Sequence, residues 1–329
     1  MRKWMSILLV LLLFLTSGCT LLQKDTEGPP QNEDRLPQPP VNLPNLRETV
    51  LYLPDKTWQL LVPVRVYIPW EEGIAKATLQ YCTEGYLPST VASLGFKPLL
   101  PAGTTVLGLS VRDGLARVDF SEEFLSYPPE YERFIINGLT YTLTEFSTIS
   151  KVETLVENEH PLLPGDTATD EPFTREFGLN LEISSDVDDF AQTQRVVLYF
   201  LYELDDRIFY VPVSRVVKEP EDWLKAVAEE LLRGPVLGGT LFSAVPRGLT
   251  LQNVQVQGSK VILRLSGQVA VGGGQVAVDR FRHQLGLTFT DINGITEVEV
   301  LLDGELPNFG PDITFPTSFG RPKQWNLVE

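Results

Sequence analysis

Histidine, cysteine and methionine are nearly absent from this chain, with two of each in 329 residues. His160 and His283 cannot form a paired-histidine zinc helix, and the internal repeat described below sets Leu306 and Asn137 opposite them. This argues against a duplicated histidine-based catalytic centre. No Gly-x-Ser-x-Gly turn, no P-loop and no cysteine-histidine pairing occurs, so neither a catalytic residue nor a cofactor or metal site is expected. Two cysteines cannot build a disulfide framework, and Cys82 aligns with Leu231 of the repeat, as a small buried hydrophobe would. Basic residues are also short, 27 against 43 acidic ones for a net charge of −16, which disfavours nucleic acid as a partner.

The long apolar run lies at the start. Arg2 and Lys3 precede Ile7 to Leu15, and Thr16-Ser17-Gly18-Cys19 follows, the layout of a secretory signal too short to span a bilayer comfortably. Residues 20–46 are rich in proline, glutamine, asparagine and charge and read as a stalk, able to reach ~80 Å if polyproline-like at ~3 Å per residue.

The body is a duplication. Pro101 to Ser121 recurs as Pro246 to Ser266 with five identities and matched apolar positions, and Leu139 to Pro161 recurs as Leu285 to Pro307 with nine. Alternation at Leu109/Val111 and Ala116/Val118/Phe120, joined through Asp113-Gly114, predicts a tight hairpin, echoed in the second copy around Gly258-Ser259. Ahead of it, Val62-Pro63-Val64 and Val211-Pro212-Val213 mark a first hairpin in each copy. Helices are expected from Glu71 to Cys82, after Pro128-Pro129-Glu130, from Pro220-Glu221-Asp222 to Gly234-Pro235, and around Val276, Phe281, Leu285 and Phe289.

The expected plan is hairpin, helix, hairpin, helix, strand, twice. Its class is α+β: two tandem small two-layer domains with helices on one face of a mainly antiparallel sheet. The expected boundaries are residues 47–161 and 195–307, each folding alone. Residues 162–194 read as an acidic, solvated and partly mobile linker and 308–329 as a C-terminal tail.

Three groupings invite chemistry and each has a plainer structural reading. Asp119, Glu122 and Glu123 could suggest paired glycosidase carboxylates, but a strand end and a helix start capped by Ser121 account for them. Asp186, Asp188 and Asp189 lack the glycine and closing glutamate of a calcium loop. Gly272-Gly273-Gly274 lacks the lysine of a phosphate loop.

Two sets of residues resemble known families. Ser17-Gly18-Cys19 resembles the lipobox of bacterial lipoproteins, which implies lipidation at Cys19 and an extracytoplasmic, membrane-anchored protein. The strings VPVSRVV, AEELLRGP and SAVPRGLTL, with VDFSEEF and YTLTEFSTISKV in the first copy, resemble the GerM domain of sporulation and spore germination proteins over most of residues 47–307. That resemblance implies a compact module similar to ring-building folds of envelope assemblies. The expected role is non-enzymatic: assembling or stabilising an extracytoplasmic protein complex, with envelope proteins and the membrane as partners. Peptidoglycan binding, or assistance to wall hydrolysis, is the alternative. Because the first copy alone carries extra residues with Leu87, Val91, Leu94 and Phe96, Leu94 and Phe96 are the candidate partner contacts.

Overall fold

The computed structural model describes residues 45–236, 239–269 and 272–329. Cys19, the signal and the stalk to residue 44 lie outside the described residues. The first repeat begins with hairpin β1 (Leu46–Pro54) and β2 (Leu61–Pro69), followed by α1 (Ile74–Gln80) and a short α2 (Ser89–Ser93). Then come β3 (Val106–Arg112), β4 (Leu115–Phe120), α3 (Glu132–Thr144) and β5 (Lys151–Val156). A two-residue strand, β6 (Glu182–Ile183), precedes the second repeat: β7 (Thr193–Leu204), β8 (Arg207–Lys218), α4 (Trp223–Arg233), β9 (Thr250–Gln257), β10 (Lys260–Ser266), α5 (Gly274–Thr290) and β11 (Glu297–Leu302).

The expected α+β plan is present twice. In each repeat a hairpin is followed by a three-stranded sheet whose middle strand pairs antiparallel on one side and parallel on the other, β3-β4-β5 and β9-β10-β11. The parallel pairs exist because α3 and α5 carry the chain back across the sheet before the last strand. Turn chemistry fits: Asp113-Gly114 and Asp205-Asp206 have positive φ throughout, which short acidic side chains and glycine tolerate in a two-residue hairpin loop. Asp55 organises the β1–β2 loop by accepting bonds from the amides of Thr57, Gln59 and Leu60.

Helix signals hold with local shifts. Asp222 caps α4 through Lys225 N at 3.0 Å, and Gly234 ends it with an extended backbone at a φ of +87° that glycine tolerates. Pro129 opens a 3-10 turn that leads into α3. Val276, expected on the buried stripe of α5, instead lies 60% exposed in the first turn of the helix, while Phe281, Leu285 and Phe289 are buried. Ser121 does not cap the following turn; its Oγ accepts from Thr105 N, tying β4 back to the approach of β3.

The largest departure concerns the two stretches expected to be linker and tail. Both are folded arms. Phe173 pairs in backbone with Val152 beside β5, and Phe319 pairs with Val298 beside β11 in the same double-bonded way. Leu163, Phe173 and Leu179 from the first arm and Phe315, Phe319, Trp325 and Val328 from the second are buried. Abundant acid in residues 162–194 suggested solvation, but the acids alternate with apolar side chains that reach the core, and burial of those outweighs the polar composition. The described residues from 45 to 329 accordingly form one compact unit, and one large apolar cluster runs through both repeats beside a smaller one of Tyr199, Leu201, Tyr210, Leu287 and Trp325.

Candidate interaction surfaces

Each arm crosses to the other repeat's hairpin. Glu182 and Ile183 of the first arm pair parallel with Arg215 and Val216 of β8, and Leu327 of the second arm pairs parallel with Arg65 of β2. Two asparagines stitch this seam with one pattern. Asn180 Oδ1 accepts from Leu61 N at 2.9 Å while its Nδ2 donates to Leu61 O at 2.9 Å and Pro212 O at 2.8 Å. Asn326 Oδ1 accepts from Tyr210 N at 2.7 Å while its Nδ2 donates to Tyr210 O at 2.8 Å and Pro63 O at 2.7 Å. Only a primary amide offers an acceptor and two donors in so short a side chain, and asparagine also tolerates the positive φ found at both positions.

Beside the stitches stand two matching polar sets. Tyr52 donates to Glu145, which also receives Arg175 at 2.7 Å; Tyr199 donates to Asp291 at 3.3 Å, which receives Arg321 at 3.3 Å. The Tyr52 and Tyr199 amides donate to Thr142 and Thr288, each at 3.0 Å, so the two sets occupy equivalent places. Burial, reinforced by Glu145 and by Asp291 respectively, raises the Tyr52 and Tyr199 hydroxyls above the ordinary tyrosine value. Both remain donors at neutral pH. A cavity of about 230 Å³ opens here, lined by Tyr52, Tyr141, Arg175, Arg195, Tyr199 and Ser214 among others.

A second concave region lies along α3. Two adjoining hollows of about 410 and 380 Å³ share Arg133, Asn137 and Leu181; Trp58 lines one and Phe177 the other. Trp58 stacks on Tyr131 with ring centres 4.1 Å apart and meets Phe134 edge-on, so the β1–β2 loop is held against the helix that forms the groove.

The residues singled out in the sequence fall as follows. Phe96 is not a surface contact: it is 3% exposed and meets Phe209 of the second repeat edge-on at 5.2 Å. Leu94 is half-buried against the same core, and Val91 is fully buried. The extra loop thus helps join the repeats, because Phe96 packs on Phe209 of β8. Asp119 accepts from Asn158 N at 2.9 Å, and Glu123 is exposed with its carboxyl lowered by Ser121. His160 bonds Thr169 O and approaches Glu153, while His283 lies against Tyr210. Asp186 approaches Arg233, Asp188 approaches Lys218, and Asp189 caps Ala191 N. Gly273 supplies the left-handed entry to α5.

Cys82 is fully buried, and that burial pushes its thiol up to about 12. In the native protein it should resist alkylation by iodoacetamide at pH 8 and react once urea unfolds the chain. Rapid labelling under native conditions would contradict its placement in the core.

The family model described as Germane, "Sporulation and spore germination", matches residues 50–161 and 197–306. The spore germination protein GerM of Bacillus subtilis (strain 168) is 32% identical over 287 residues, 84% of this chain and 77% of that protein. The solved tandem GerMN domains of the sporulation protein GerM from Bacillus subtilis superpose with a TM-score of 0.74 at 28% identity, covering 87% of this chain and 100% of that one.

Proposed function

Because the chain belongs to the Germane family of sporulation and spore germination proteins, we propose that it is a non-enzymatic envelope lipoprotein whose paired domains help assemble or stabilise an extracytoplasmic protein complex. The observation that carries this reading is the reciprocal seam: each repeat lends an arm to the other's hairpin, so the pair is presented as one body rather than as two hinged beads. A scaffold needs that property, since partners held on both repeats are then held at a fixed spacing. Cys19 supplies the anchor and residues 20–46 the reach.

The test uses the full chain in a spore-forming host. Cys19→Ala should move the protein from the membrane fraction to the soluble extracytoplasmic fraction. Cross-linking of the membrane-bound parent should recover discrete envelope proteins, and recovery should fall with Cys19→Ala. Unchanged membrane fractionation would refute the lipid anchor. Retention on purified peptidoglycan with no protein recovered would instead refute the assembly role.

A further inference from the structure

The two halves of the seam are equivalent in backbone but not in filling. Tyr52 and Tyr199 mark matching places on β1 and β7, and Pro63 and Pro212 on β2 and β8, since each tyrosine sits opposite its proline in the hairpin register. Counting from these, Glu48 corresponds to Arg195 and Arg65 to Ser214, and the two asparagine stitches equate Trp325 with Leu179. On the first side the space is closed: Arg65 pairs with Glu48, lies over the Trp325 ring at 5.5 Å and donates to Lys323 O at 3.3 Å. On the second side a serine replaces the arginine and a leucine replaces the tryptophan. The result is the cavity of about 230 Å³.

Charge is unbalanced there in a definite way. Arg175 is matched by Glu145 and Arg321 by Asp291, whereas the guanidinium of Arg195 has no carboxylate within ion-pair distance among the described residues. Of the charged residues that line the cavity two are arginines, Arg175 and Arg195, and one is a carboxylate, Asp291, leaving one positive charge in a chain of net charge −16. The Ser214 hydroxyl accepts from Leu179 N at 2.9 Å and is hydrogen-bonded to the Tyr141 hydroxyl, and Leu179, Val197 and Pro212 supply apolar wall. Gly178 keeps the entrance open: a Cβ there would lie 2.8 Å from Ser214 and 2.9 Å from Arg195 Nη1, and its φ of +76° also excludes an ordinary side chain.

We propose that this cavity is a binding site for a carboxylate group about the size of one amino-acid residue, held by Arg195 in the place where the opposite half of the seam carries its own ion pair. A guanidinium fork matches a carboxylate in a two-point contact, and Arg195, exposed at the rim of the cavity, can take up a carboxylate that arrives from solvent. The shared chemistry is a carboxylate on an apolar stem, supplied either by a chain end or by an acidic side chain of a partner.

The test is a titration of the whole chain, with tyrosine ring carbons labelled and observed by NMR. The probes are N-acetylalanine for a chain end, N-acetylaspartic acid amide for a side chain, N-acetylalanine amide as the uncharged control, and inorganic phosphate. At least one carboxylate probe should shift the Tyr141 and Tyr199 ring signals saturably, weakening as salt rises, while the uncharged control does not. Arg195→Gln should raise the dissociation constant at least tenfold with an unchanged melting temperature. Ser214→Arg, which refills the space as Arg65 does in the other half, should also block the probes. Equal binding of the uncharged control, indifference to Arg195→Gln, or binding of phosphate alone would overturn the proposal.

Discussion

Arg215→Met should destabilise the protein by about 3–5 kcal/mol, read as a lower urea midpoint at unchanged slope. Arg215 is fully buried, and its guanidinium bonds Glu182 at 3.0 and 2.5 Å, Glu230 at 2.8 Å, and the carbonyls of Glu230 and Gly234. Removing it takes the Arg215 guanidinium from both buried carboxylates and leaves Glu230 only the part-exposed Arg233 at 2.8 Å as a cation, and that weakened charge compensation is the source of the loss. The same reasoning gives a control: replacing Arg215, Glu182 and Glu230 together by apolar residues of similar volume should cost far less, because desolvation of the ions offsets most of their mutual attraction. A single Arg215→Met with wild-type stability would show that the network is not closed as described. Its position suits a role in register, since Glu182 lies on β6, a strand of only two residues that its own backbone pairing could not hold in place.

The repeats were legible because duplication writes the same alternation twice, and the hairpin turns because acid and glycine are needed where φ is positive. The arms were not, because their polar and acidic composition masks the few apolar positions that are buried. Phe173-x-Arg175 followed by Asn180 recurs as Phe319-x-Arg321 followed by Asn326 at the spacing of the rest of the repeat. These six residues make the backbone pair, the ion pair and the stitch on each side. The repeat therefore continues past Pro161 and Pro307 into the arms. The seam cavity left less trace, since it arises where Ser214, Leu179 and Arg195 differ from their counterparts, and a difference between repeats reads as drift until the hairpins are seen side by side. The loop at Leu94 and Phe96 shows the opposite limit: an apolar cluster in a sequence does not say whether it is covered by solvent, a partner or, as with Phe96, another part of the same chain.

Ending the chain after Pro307 should abolish cooperative unfolding of the second repeat, although every helix and long strand would remain. The deletion removes Phe315, Phe319, Trp325 and Val328, all buried, and strips the open edge of β11 where Val298 is bonded to Phe319 at 2.7 and 2.9 Å. Each large buried apolar side chain typically contributes about 2–5 kcal/mol, so four exceed much of the ~5–15 kcal/mol margin of an ordinary domain. A fragment of residues 195–307 would be deprived further, because it also lacks the first arm that pairs with β8 through Glu182 and Ile183. The milder form isolates the stitch: Asn326→Ala keeps the apolar contacts but leaves Tyr210 N, Tyr210 O and Pro63 O without their partner, at about 2–4 kcal/mol. Asn180→Ala should act alike, since it leaves Leu61 N, Leu61 O and Pro212 O in the same condition. The two sites share the hairpins they join, so the double variant should lose less than the sum of the singles, once either stitch has let the seam relax. Strict additivity in urea denaturation would mean that the repeats respond independently and that the seam does not couple them.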